Sequence, residues 1–148
     1  MVRVERSALM AFTPQQLLAL VQDVECYPEF LPGCIAATTE VATDESMQAG
    51  LKFKLAGLTE SFVTENRVST SAEGSLQLHM RLLKGPFKSL KGQWSFQPLG
   101  EAACKVSLAV ELDWGTWSLG RLLAPQIERA VGEVMGSFKQ RASLLYGN

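Results

Sequence analysis

Residues 117–146 read WSLGRLLAPQIERAVGEVMGSFKQRASLLY and hold the only long helical pattern in the chain. Leu119, Leu122, Leu123, Ile127, Ala130, Val131, Val134, Phe138, Ala142 and Leu145 recur at steps of three and four, which lines one face of a 3.6-residue helix. Glu128, Arg129, Glu133, Lys139, Gln140 and Arg141 fill other positions. A helix of about 28 residues is roughly 42 Å long. No second helix of that length exists to pair with it, so its stripe should pack on strands built from the preceding residues. Pro125 lacks an amide hydrogen and should kink the helix or mark its true start. Gly132 and Gly136 lie one turn apart. Their small size allows close packing against a strand, or a concavity with Met135 and Phe138 on its wall.

The stretch before the helix supplies the sheet. Alternation and turn residues mark strands near 34–43, 47–56, 59–69, 74–83, 89–98 and 103–114. The turns fall at 43–45, 56–57, 71–74, 84–86 and 99–101, and connections this short make the strands antiparallel. Leu76, Leu78, Met80 and Leu82 alternate with Gln77, His79 and Arg81, while Leu90, Trp94 and Phe96 alternate with Lys91, Gln93 and Ser95. One face is therefore apolar and the other solvated. The 59–69 strand departs from this pattern. Phe62 and Val68 share a face with Glu60, Thr64 and Asn66, and polar groups on an inner face need partners from protein, water or ligand.

Residues 2–10 read as another strand, for about seven in all. Thr13, Pro14 and Gln16 then open a short helix as N-cap, N1 and N3. It should end near Val24, because Tyr27-Pro28 disfavours helical geometry before the proline. Residues 27–33, YPEFLPG, form a compact apolar loop. Tyr27, Phe30 and Leu31 either plug the core or cover the entrance to an opening.

A chain of 148 residues reads as a single domain, 1–148. Its formal net charge of −1 argues against a strongly basic nucleic-acid binder, and no DNA partner is expected. Cys26, Cys34 and Cys104 are scattered and odd in number, which suits reduced thiols better than a disulfide framework or zinc site. No apolar run approaches the ~20 residues that span a membrane. The N-terminus reads as a strand carrying Arg3, Glu5 and Arg6 rather than as a signal peptide. A soluble, cytoplasmic protein is expected.

Catalytic chemistry finds little support. His79 is the only histidine, and its parity puts it on the solvated face. Glu60 and Glu65 have odd spacing and point to opposite faces. Neither GxGxxG nor GxxxxGK[ST] occurs. No catalytic residue and no metal site are expected.

Two motifs carry a family resemblance. The first is Val21-Gln22-Asp23-Val24 followed by Tyr27-Pro28-Glu29-Phe30-Leu31-Pro32. The second is Leu83-Lys84-Gly85-Pro86-Phe87 followed by Leu90, Gly92, Trp94 and Phe96. With the element order they resemble the coenzyme-Q-binding branch of the START-related, polyketide cyclase-like superfamily, and within it the bacterial ribosome association toxins. The resemblance spans residues 2–146. It implies an α+β helix-grip fold, START-like or Bet v-like: a curved antiparallel sheet around the long C-terminal helix, with a cavity between them. Mitochondrial members chaperone ubiquinone for respiration, whereas the toxin branch binds the large ribosomal subunit and blocks subunit association.

The resemblance turns an apolar constellation into an expected site. Phe53, Phe62, Trp94, Phe96, Met135 and Phe138 can all point between sheet and helix, with Gly132 and Gly136 leaving room. Thr64 and Asn66 would serve a quinone carbonyl. A filled core is the competing reading, since dense packing is the norm. Arg81, Lys84, Lys88 and Lys91 surround the 84–86 turn. They are a solvated hairpin end, or a contact for an anionic membrane surface or ribosomal RNA. The expected activity is non-enzymatic binding of a hydrophobic ligand, ubiquinone or another polyisoprenoid lipid, with no resident cofactor. Ribosome binding is the second reading and a small cyclase-like enzyme a distant third. The expected setting is the bacterial cytoplasm, with transient contact to the inner membrane as a variant.

Overall fold

A computed structural model describes residues 1–71 and 73–147. Ala72, in the expected 71–74 turn, and Asn148 lie outside the described residues. The strands are β1 (Val2–Met10), β2 (Cys34–Ala42), β3 (Ser46–Leu55), β4 (Leu58–Thr70), β5 (Leu76–Lys84), β6 (Ser89–Pro98) and β7 (Cys104–Asp113). They form one curved sheet in the order β1-β7-β6-β5-β4-β3-β2, with every neighbouring pair antiparallel. β2 to β7 run as a meander, and β1 closes the far end against β7.

Helix α1 (Pro14–Gln22) opens with the expected cap: Gln16 N–H donates to Thr13 Oγ1 at 3.1 Å, and Thr13 N–H donates to Gln16 Oε1 at 2.9 Å. The chain then tightens into a 3₁₀ segment, Val24–Glu29, with Pro28 inside it. The expected apolar loop is thus partly helical, closed by short turns in which Cys26 N–H donates to the Asp23 carbonyl and Phe30 N–H to the Tyr27 carbonyl, neither of which needs an amide hydrogen from Pro28.

The C-terminal helix is two helices. Helix α2 (Ser118–Leu122) ends at Leu123, and α3 (Ala124–Tyr146) starts there with Pro125 in its first turn. Proline fits at that position because its missing N–H would be unpaired anyway. Gly120 lets α2 lie on the sheet, since a Cβ there would meet the Trp114 ring at 2.6 Å. The break rotates Leu119 and Leu122 out of the stripe, leaving them 41% and 72% exposed. Leu145, also expected in the stripe, is exposed as well. What α3 buries fully is Met135, Phe138 and Ala142.

Two apolar clusters fill the space between sheet and helices. The larger gathers Leu17, Leu20, Val24, Tyr27, Leu78, Trp94, Phe96, Val106 and Phe138. The smaller gathers Val2, Val4, Leu112 and Trp114, with Phe87, Trp117 and Ile127 against it. Leu90 and Val131 touch both. No helix among the described residues is long and apolar enough to cross a membrane.

Candidate functional site

Between the inner sheet face and the first half of α3 lies a cavity of about 160 Å³. β3 and β4 supply Phe53, Leu55, Leu58, Glu60 and Phe62; β6 and β7 supply Leu90 and Leu112. Leu31, Pro32 and Gly33 close one side, and Phe87 and Trp117 another. Leu123, Ile127, Ala130, Val131 and Val134 cover it from the helix. The aromatic wall is continuous. Phe53 stacks on Phe62 at 5.9 Å between centroids, Phe62 meets Phe87 at 5.4 Å, and Phe87 meets Trp117 at 5.6 Å. Glu60 is the one ionisable residue on this lining. It takes part in no ion pair among the described residues.

The expected cavity residues divide between this space and the packed core. Phe53 and Phe62 line the cavity. Trp94, Phe96, Met135 and Phe138 do not; they are buried in the larger cluster, where Trp94 meets Phe138 at 5.1 Å and stacks on Phe96 at 5.9 Å. Thr64 and Asn66 are buried but satisfy each other, the Thr64 hydroxyl donating to Asn66 Oδ1 at 2.8 Å. That bond uses the hydroxyl proton that Thr64 would donate to a ligand carbonyl. A Cβ at Gly132 would meet Arg6 Nη2 at 2.9 Å. Gly136 is exposed, and a Cβ there would meet nothing within 4 Å. Neither glycine makes room for the cavity.

The reason lies in helix phase. Leu123 just before α3 and Ile127, Ala130, Val131 and Val134 in its first half face the cavity, whereas Met135 at its midpoint and Phe138 and Ala142 beyond it fill the core. Apart from Met135, both sets belong to one apolar stripe, and the crossing of helix over sheet separates them. The missed sheet residues had a readable signal. Leu55 and Glu60 share strand parity with Phe53 and Phe62.

The expected entrance loop is anchored rather than free. Tyr27 is buried, and its hydroxyl donates to the Val21 carbonyl; burial pushes the phenol's pKa up. Phe30 and Tyr27 both meet the Phe138 ring edge-on, at 5.1 and 5.4 Å. Leu31 reaches the cavity wall.

The basic group also divides. Arg81 Nε donates to Glu65 Oε1 at 2.9 Å, and this bond, with a second from Arg67, lowers the Glu65 pKa. Lys91 lies across from both Arg81 and Glu111 in the strand register, so it belongs to a row of mixed charge on the outer face. Lys84 and Lys88 stand exposed beside the turn that carries Phe87. His79 is exposed on the outer face, its Nε2 3.4 Å from Ser69 Oγ, remote from the cavity. Among the described residues no cluster of three or more His, Cys, Asp or Glu side chains could hold a metal ion.

Residues 10–139 match the family described as "Polyketide cyclase / dehydrase and lipid transport". A ribosome association toxin RatA of Vibrio cholerae is 35% identical, with 99% of each chain covered. A protein of the same name from Pseudomonas aeruginosa is 36% identical over 97% of each. The solution structure of an 18 kDa protein from Caulobacter crescentus superposes with a TM-score of 0.73 at 31% identity, covering 100% of both chains.

Proposed function

Since the chain belongs to the polyketide cyclase, dehydrase and lipid transport family, we propose that it is a non-enzymatic binder of a hydrophobic ligand, with ubiquinone in support of respiration as the specific reading. The observation that carries it is the cavity of about 160 Å³ whose lining is apolar but for Glu60. Most of that lining is only partly buried, and covering such apolar surface gains about 25 cal/mol for each Å² removed from water, which favours an apolar occupant. The cavity is smaller than the roughly 300–1,000 Å³ of drug-sized sites. A single ring or a short run of isoprenoid chain fits, and a longer tail would pass out beside the loop at Leu31 and Pro32.

The family's own description includes cyclases and dehydrases. Such chemistry needs a positioned acid–base pair, and this cavity presents one ionisable group. That supports carriage over catalysis. The test is mass spectrometry of the organic extract of protein purified from its own host. A quinone or polyisoprenoid at near-stoichiometric ratio is expected; an empty protein, or one carrying only bulk phospholipid, counts against the reading.

The relatives named as ribosome association toxins favour a second reading, binding to the large ribosomal subunit with inhibition of subunit joining. With Arg81 bonded to Glu65, the surface available for RNA phosphates is Lys84, Lys88 and Lys91. Co-sedimentation with large subunits should weaken steeply with salt, because released counterions drive phosphate binding. It should vanish when the three lysines become glutamates. Binding indifferent to both changes would rule this surface out.

A further inference from the structure

We propose that Glu60 makes the cavity selective for ligands whose polar end donates hydrogen bonds, so that of the two redox forms of the proposed quinone the hydroquinone binds more tightly, as does a fatty alcohol compared with a fatty acid. This rests on the reading of the cavity as a ligand site and adds the chemistry of the head group.

Every other residue on the lining offers apolar side-chain surface or, at Trp117, an indole. Glu60 is half-buried there, opposite Phe53 in the strand register and three residues beyond the β3–β4 turn. No lysine, arginine or histidine joins it on the lining. A partly buried carboxylate costs free energy unless something donates to it. A purely apolar occupant would leave it unanswered.

An ionised carboxylate only accepts hydrogen bonds. A quinone head carries carbonyl and ether oxygens, which also only accept, so it meets Glu60 with repelling lone pairs. Reduction to the hydroquinone turns both carbonyls into hydroxyls, which donate. A fatty acid would set a second acceptor-bearing acid group against the first with no donor between them, which is worse still. The head therefore sits by Glu60 near the β3–β4 turn, and the tail runs between Phe62 and the helix residues Val131 and Val134.

The test is displacement of the neutral probe N-phenyl-1-naphthylamine from the full chain under anaerobic conditions. Four competitors form two matched pairs: short-chain ubiquinol against ubiquinone, and dodecanol against dodecanoate. The donor-headed member of each pair should bind about three- to tenfold more tightly, as expected for one net hydrogen bond to a partly solvated group. Glu60→Gln keeps the shape but adds an amide donor, so it should erase or reverse both preferences. Equal affinities in the parent, or preferences unchanged in Glu60→Gln, would overturn the inference while leaving the cavity in place. If the probe binds and no competitor displaces it, or the probe itself does not bind, the cavity reading falls and this inference with it.

Discussion

The Arg141 guanidinium lies over the Phe30 ring, 5.1 Å from its centroid, while its Nη2 donates to Glu29 Oε1 at 3.3 Å. One side chain of α3 thus holds the 3₁₀ segment from two sides, next to Leu31 on the cavity wall. A cation over an aromatic face is worth about 0.5–1 kcal/mol at exposed sites. Arg141 Nε is buried without a partner among the described residues, and an unmet donor offsets part of what the clasp contributes. Arg141→Met should speed amide hydrogen exchange across residues 24–33 and leave the β5–β7 strands unchanged. Exchange unaltered in that segment would show that the Tyr27 and Phe30 contacts to Phe138 suffice.

Trp94 is 3% exposed and packed between Phe96 and Phe138. Trp94→Ala should destabilise by about 3–5 kcal/mol, because removing a buried ring loses its transfer energy and leaves a void. Chemical denaturation read by far-ultraviolet circular dichroism checks it. A change below about 1 kcal/mol would mean the surroundings collapse into the gap.

Alkaline pH should destabilise the protein. Burial pushes the Cys104 thiol up to about 11 from 9.0, and the Asp23 side chain, ahead of desolvation, raises the Cys26 thiol to about 11. The unfolded chain ionises these thiols from pH 9 upward while the native state still holds the protons. Their contribution is therefore complete below pH 9 and lost as pH rises toward 11. The melting temperature should fall across that window, and fall less steeply in Cys104→Ala. Identical slopes for parent and variant would contradict the assignment.

Much of the architecture was legible because it is local. Alternation places each strand within about two residues of its observed ends, since strand periodicity is written in nearest neighbours. Pro125 as a helix start follows from its missing donor. The location of the cavity was not legible. Strand parity says that Phe62 and Trp94 face inward, yet not that one borders a void and the other fills the core. That depends on where α3 crosses the sheet, a relation between residues some seventy positions apart. The partition of the basic group has the same origin. Glu65 bonds Arg81, and Glu111 lies opposite Lys91, only through strand register. Thr64 and Asn66 read correctly as inner polar residues, but their mutual hydrogen bond is a side-chain geometry that parity does not specify.

The central claim is that the space beneath Val131 is a binding site. Trp117 lines it and reports on it, so the most direct measurement is a tryptophan-fluorescence titration of the parent and of Val131→Phe with a short-chain ubiquinol. The larger ring should fill the cavity at an overpacking cost of about 1–3 kcal/mol, so cooperative thermal unfolding is verified first. Saturable quenching in the parent, lost in a folded Val131→Phe, is the predicted result. Absence of saturable quenching in the parent, or quenching unchanged by Val131→Phe, would contradict it.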